Sequence, residues 1–438
     1  MKKISVLLAV ILIIISSVGL AGCGDRERIL KVYAPGEYID EDVLSGFEDW
    51  YYEETGKSVT LQYKTFSTNE DAYTEIYRKH ADYDLVCFSD YIVSRLRKND
   101  LLLPVDTEFI YGDDGEAGTV MGSILEAMNS YEIGDGSVRY SAPYMWGTFG
   151  IMYRADMANT LSFDNLSWDS LFKSGEYSGE RYMKNSIRDA YASASIVASK
   201  DKLSKLSNGF TDYNDAYRAE LLKVINDTSE SNMQAVENVL KEQKKYLFAY
   251  ESDDGKDDMI TSSPSAIMGL FWSCDAGYAM EDSRDLFYGV PKEGANVWVD
   301  AYVMPKYAGN TEAAQYFLKY LARGVIKVDG DECDVPVLNR DYAGCSTPVQ
   351  WVNDQTKDIM LRAKAALEGG EYSEGEDEDV DYYVEFFSEA TDVRFAQMYI
   401  DMLFPSEEVL NRCAVMTDSD KDANINMAKM WIRVKASK

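Results

Sequence analysis

Apolar and polar positions change period repeatedly along this chain, and each period predicts an element. Across residues 297–304 the alternation is twofold. Val297, Val299, Ala301 and Val303 fall on one side, and Trp298, Asp300 and Tyr302 on the other. That is the pattern of a strand with two dissimilar faces. Residues 29–33, 59–63, 84–88, 149–154 and 266–272 are short apolar runs rich in β-branched and aromatic residues, and predict further strands. Between them the period lengthens to that of a helix. Val43, Phe47, Trp50 and Tyr51 share one helical face, with Asp40 placed to cap it and Gly56 to end it. Other helices are predicted from Asn69 as cap to about His80, and from Ser89 to about Lys98. Another follows Ser167-Trp168, and one covers 190–199 behind the capping pattern Ser186-x-x-Asp189. Three more are predicted at 232–246, after Trp272 and behind Thr311 as cap, and a last pair near 385–404 and 423–434. Strand and helix alternating in this way predict an α/β fold, a parallel sheet with helices on both faces. In such sheets ligands sit beyond the carboxyl ends of the strands. Glu37, Tyr38, Ser89, Tyr91 and Trp272 all lie at such ends.

The first 22 residues follow a different logic. Lys2 and Lys3 precede an uncharged apolar run from Ile4 to Leu20, and Leu20-Ala21-Gly22-Cys23 follows. A charged start, an apolar middle and small residues before a cut predict a signal peptide over 1–22. The Leu-Ala-Gly-Cys ending resembles the bacterial lipobox, which implies lipidation of Cys23 and a short tether over 23–28. Acyl chains, at about 0.8 kcal/mol per buried CH₂, would hold the protein on a membrane. The 416 residues from Cys23 onward exceed one ordinary core and suit two domains, with 141–147 as a crossing between them. They carry 42 basic against 75 acidic residues. Such a surface excludes nucleic acid as a partner and draws in cations.

Composition narrows the chemistry. The single histidine, His80, sits on a polar helix, so a histidine-dependent nucleophilic enzyme has little to work with. The cysteines after Cys23 are scattered and odd in number, with no CxxC pair. A structural zinc site and a full disulfide framework are therefore not expected, and no metal or cofactor is implied. Cys333 and Cys345 are close enough in sequence to pair. The acidic, glycine-bearing stretch 368–381 lacks the spacing of a calcium loop and reads as a solvated insertion. Asp300 is the most informative residue. A carboxylate between two aromatics on an apolar strand is costly unless its face is wet or a cation meets it. The spacing alone allows both.

Several stretches, in order, resemble the spermidine/putrescine-binding proteins of bacterial ABC importers. They are Gly36-Glu37-Tyr38, Tyr83-Asp84-Leu85-Val86 leading to Ser89 and Tyr91, and Tyr140-Ser141-Ala142-Pro143-Tyr144-Met145-Trp146-Gly147. Ser167-Trp168, Arg188-Asp189-Ala190, Trp298-Val299-Asp300 and Ser346-Thr347-Pro348 follow. The resemblance spans nearly all of 29–438. It implies a two-lobed, type II periplasmic-binding-protein-like α/β fold with an interdomain cleft and crossing hinge strands. Lobe 1 would comprise 29–143 and 301–352, and lobe 2 144–300 and 353–438. It implies that Glu37 and Asp300 bind ammonium groups, with Asp189 at the position of a third acid. Trp272, Trp298, Tyr38 and Tyr91 would hold the methylene chain, with Ser89, Ser186 and Cys345 also at ligand positions. The chain departs from the family pattern at Pro35 and Cys345, which stand where rings are usual, and at Ser186, which stands where an acid is usual.

The function implied is a lipid-anchored, extracytoplasmic, monomeric solute receptor that captures a polyamine and hands it to a membrane permease with a separate ATPase. It is not an enzyme. Two alternatives remain open on the residues alone: a receptor of the same fold for another solute, and a carboxylate-based glycosidase, which needs no histidine.

Overall fold

A computed structural model describes residues 26–437, except 113–114, 133–136, 158–160, 162–165, 174–179, 252–254 and 262–265. The signal peptide and Cys23 lie outside the described residues. Of the tether, Arg26–Arg28 forms one 3-10 turn, docked by Arg26 on Asp82 and the fully buried Asp84. Among the described residues no helix is long and apolar enough to cross a membrane.

The strands run in chain order as β1 (Ile29–Pro35), β2 (Thr60–Phe66), β3 (Leu85–Ser89), β4 (Leu102–Leu103), β5 (Ser141–Arg154), β6 (Glu180–Lys184) and β7 (Leu247–Glu251). Then come β8 (Ala266–Trp272), β9 (Leu286–Gly289), β10 (Ala295–Pro305), β11 (Val325–Val328), β12 (Asp331–Asp334) and β13 (Cys413–Ala414). One sheet has the order β2-β1-β3-β10-β5-β8-β6-β7, with β4, β9 and β13 pairing onto it from the side. The expected parallel pairing holds at its two ends, β2-β1-β3 and β8-β6-β7, and where the short β13 joins the start of β10. The middle is antiparallel, because β5 and β10 are long strands that run in opposite directions through both lobes.

Two hydrophobic cores flank this crossing. One gathers residues between Leu30 and Trp146 with Val299, Tyr302–Met304 and the helix Thr311–Arg323. The other gathers residues between Phe149 and Ala295 with the helices Glu378–Ser388, Phe395–Leu403 and Lys421–Ala436. β5 therefore leaves the first core at Trp146 and enters the second at Phe149. The result is an α/β fold of two lobes with two strands crossing between them.

Local signals act largely as their chemistry dictates. Asp40 accepts from the backbone N–H groups of Asp42 and Val43, and Gly56 ends the same helix at φ 68°. Two caps fall one residue earlier than expected. Thr68 caps the helix Asn69–Lys79 and Asn310 caps Thr311–Arg323, each pair offering two adjacent residues able to cap. The Cys333–Cys345 pair that the spacing allowed does not form: Cys345 is bonded to Cys274, and Cys333 is free. Neighbours in sequence lost to neighbours in space, because the turn at Gly344 brings Cys345 against the start of the helix Ser273–Asp282.

Candidate binding site

Asp300 sits where β10 crosses from one core to the other. Its register partners are Ser89 on β3 and Met145 on β5, with a register shift between Asp300 and Ala301. Tyr38, just past β1, donates its hydroxyl to Asp300 Oδ2 at 2.8 Å. Burial pushes the Asp300 carboxyl above the usual range, and the hydroxyls of Ser89 and Tyr38 oppose that rise. Ser89 begins the helix Asp90–Lys98 without capping it; its Oγ also accepts from Asn69 Nδ2 at 2.9 Å. Tyr38 is fixed in turn by Tyr144, whose ring meets it edge-on at 5.4 Å and whose hydroxyl donates to the Tyr38 carbonyl at 2.6 Å.

Trp298 lies beside Asp300, opposite Gly147 on β5. A Cβ on Gly147 would sit 2.6 Å from the Trp298 ring and 2.3 Å from Ser273 Oγ, so glycine is what lets the indole lie against the crossing strand. Tyr302, on the same face of the sequence pattern, does not reach the cleft. It is 1% exposed and packs edge-on to Tyr144, because both faces of the sheet are covered in the first lobe.

The second lobe presents Asp189, Trp272 and Ser186. Ser186 caps the helix Ile187–Ala198 by accepting the Asp189 N–H, so the capping role and the site position coincide. Asp189 is 7% exposed, and burial pushes its carboxyl up. The Ser186 hydroxyl, the charge of Lys184 and a hydrogen bond from Trp272 oppose the rise. Tyr91 bridges the lobes: its hydroxyl donates to Glu70 Oε1 at 3.0 Å, and the Arg188 guanidinium stands 5.6 Å from its ring centre.

Tyr38, Ser89 and Trp298 thus surround Asp300, Ser186 and Trp272 bond Asp189, and Tyr91 meets Arg188 of the second lobe. Two expected residues differ from these in their surroundings. Glu37 is exposed on the turn after β1, at φ 53°. Cys345 is buried and committed to its disulfide. Sequence reading passed over Tyr144 and Asn69, which hold Tyr38 and Ser89 in place, and Lys184, which lies over Trp272 at 4.3 Å from the ring centre. Tyr144 stood in a quoted motif. A single lysine ending a strand carries no signal of its own. Among the described residues there is no cluster of His, Cys, Asp and Glu that could hold a metal ion.

The family model described as "Bacterial extracellular solute-binding protein" matches residues 49–324. The chain belongs to that family. Members of the bacterial extracellular solute-binding family are binding components, not enzymes. The spermidine/putrescine-binding periplasmic protein of Escherichia coli K12 is 25% identical over 338 residues, covering 77% of this chain and 84% of that protein. The putrescine-binding periplasmic protein SpuD of Pseudomonas aeruginosa is 23% identical, covering 75% and 83%. Among solved structures, PotD, the spermidine/putrescine ABC transporter substrate-binding protein of Streptococcus pneumoniae, matches with a TM-score of 0.62 at 22% identity, covering 93% of this chain and 98% of that one. The cycloalternan-bound ABC substrate-binding protein Lmo0181 of Listeria monocytogenes shares the fold at a TM-score of 0.56 and 11% identity, covering 94% of each chain.

Proposed function

We propose that this protein is an extracytoplasmic, lipid-anchored receptor that captures a polyamine in its interlobe cleft and delivers it to an ABC permease with a separate ATPase. The observation that carries the reading is Asp300. It is a half-buried carboxylate that meets two hydroxyl donors among the described residues, Tyr38 and Ser89, and lies beside Trp298. An ammonium group is the partner such a site lacks, and the rings suit the carbon chain between two ammonium groups. The names of the curated relatives point the same way. In this reading Asp300 and Asp189 each take one ammonium, and Tyr38, Tyr91, Trp272 and Trp298 line the chain. Glu37 acts at the mouth. The lobes divide at 29–143 with 301–352, and 144–300 with 353–438. Cys23 carries the lipid, and the receptor works as a monomer.

The magnitudes suffice. Hydrogen bonds to charged groups contribute about 1.5–3 kcal/mol each, and a cation over a ring about 0.5–2 kcal/mol. Two acids and three or four rings reach the roughly 8 kcal/mol of micromolar binding after ordering costs.

Calorimetric titration of residues 24–438 with putrescine, spermidine and a neutral sugar, repeated on Asp300→Ala, tests this. Saturable one-site binding of a polyamine, weakened at least tenfold in Asp300→Ala, is expected. The fold also accommodates an oligosaccharide in Lmo0181, so a receptor for another solute is the second reading. Sugar binding indifferent to Asp300→Ala would establish it and overturn the first.

A further inference from the structure

Lys184 is the residue of the second lobe that the binding scheme leaves unused. It ends β6, in register with Glu251 on β7. Its side chain is 2% exposed, and Nζ stands 2.8 Å from Glu251 Oε1 and 2.6 Å from Asp275 Oδ2. The same atom lies 4.3 Å from the Trp272 ring centre and 5.7 Å from that of Phe271. Two carboxylates and two rings around one ammonium are the surroundings that a polyamine's own ammonium requires. Here the chain supplies that ammonium itself. Trp272 is half-buried and hydrogen-bonded to Asp189, so one face of the indole is taken by Lys184 while its edge serves the proposed site.

We propose that Lys184 is a tethered ammonium that fills the innermost cation cage of the second lobe, ending the cleft at Asp189 and selecting a short diamine over a longer polyamine. This deepens the polyamine reading and rests on it. The effect is one of occupancy and not of repulsion, since Glu251 and Asp275 together outweigh the single positive charge of Lys184. A longer ligand gains nothing from its extra ammonium, because the carboxylates and rings that would receive it are already engaged. A cation over a buried ring and its charged hydrogen bonds each favour the caged ammonium, and together they decide a preference between ligands that differ by one amine.

Lys184→Ala empties the cage and leaves the side chains of Asp189, Trp272 and Asp300 unsubstituted, although Trp272 loses the cation over its ring and Asp189 a nearby positive charge. Two measurements are made on it. Propylammonium chloride, the missing end of the side chain, is expected to raise the melting temperature of the variant saturably while leaving the unsubstituted protein unmoved. Calorimetry with putrescine and spermidine is expected to show the ratio of their affinities shifting at least tenfold toward spermidine. A general gain in negative charge would favour the more highly charged spermidine through a long-range attraction that salt screens; an unshifted ratio, or a shift that disappears in about 0.5 M salt, overturns the proposal. If the alanine variant fails to fold, the ratio is read on Lys184→Ser, which also leaves the cage open and adds a hydroxyl for the carboxylates. Failure of every polyamine to bind the unsubstituted protein would overturn the receptor reading as well; binding with an unshifted ratio overturns only the role of Lys184.

Discussion

Asp300 shows what one residue costs a binding protein that stands empty. Burial raises its carboxyl above the value it has in the unfolded chain. Such a group stabilises the fold below the ordinary carboxylate range, and that contribution is lost as pH rises through the raised value. Ionisation of Asp300 as pH rises therefore weakens the ligand-free protein. Asp300→Asn keeps an acceptor for Tyr38 and carries no charge at any pH. Its ligand-free melting temperature is expected to exceed that of the unsubstituted protein by about 2 °C near neutral pH, on the order of 1 kcal/mol. The difference should shrink steadily as the melts are repeated toward pH of about 4; a gain independent of pH would show that ionisation of Asp300 is not its source. The importance of Asp300 was legible in the sequence, because a carboxylate interrupts an apolar alternation. Tyr144 and Asn69 were not legible as supports, since their value lies in reaching residues far along the chain.

At the scale of elements, the crossing of β5 and β10 does most of the positioning. It needs Gly147, opposite Trp298. In Gly147→Ala the new carbon would meet Ser273 Oγ and the Trp298 ring inside contact distance, and overpacking of this kind costs about 1–3 kcal/mol. A lower denaturant midpoint is expected, together with weaker ligand binding because the displaced ring lines the site. Loss of stability with unchanged affinity would remove Trp298 from the binding wall. Many strands and helices were readable from period, and so was the cap at Asp40, whereas the helices Lys200–Leu206, Asp215–Asn226 and Gln350–Leu367 were not. The mixed direction of the sheet was not, because period reports which faces are buried and not which way the neighbouring strand runs.

The whole molecule is held by contacts between its lobes. The segment after β13 is anchored to the second lobe, where Thr417 donates to Asn226 at 2.8 Å and accepts from Arg188 at 2.9 Å. From it Asp418 reaches the first lobe, pairing with Arg95 at 2.7 Å, while Lys98 donates to the Asp418 carbonyl, also at 2.7 Å. The Arg95 and Asp418 side chains are only 17% and 7% exposed, so the pair is largely shielded from solvent. Asp418→Asn is expected to speed ligand release about tenfold, roughly 1.4 kcal/mol, and to leave the ranking of ligands unchanged, as read by stopped-flow fluorescence. A changed ranking would place Asp418 in the site instead of at the junction. Cys274–Cys345 belongs to the same scale: it ties the helix that begins after Trp272 to the turn after Gly344, across 71 residues of sequence.

The sequence by itself determined the α/β class, the strand ends at which a ligand would sit, and the acid and rings on β10, because periodicity and local polarity are properties of consecutive residues. Tertiary structure alone decided that Cys345 bonds Cys274, that Tyr302 turns into the core, that Glu37 is exposed, and that Lys184 lies over Trp272 between two carboxylates. Each of these depends on which distant segments share a few ångströms of space, and no spacing along the chain encodes that.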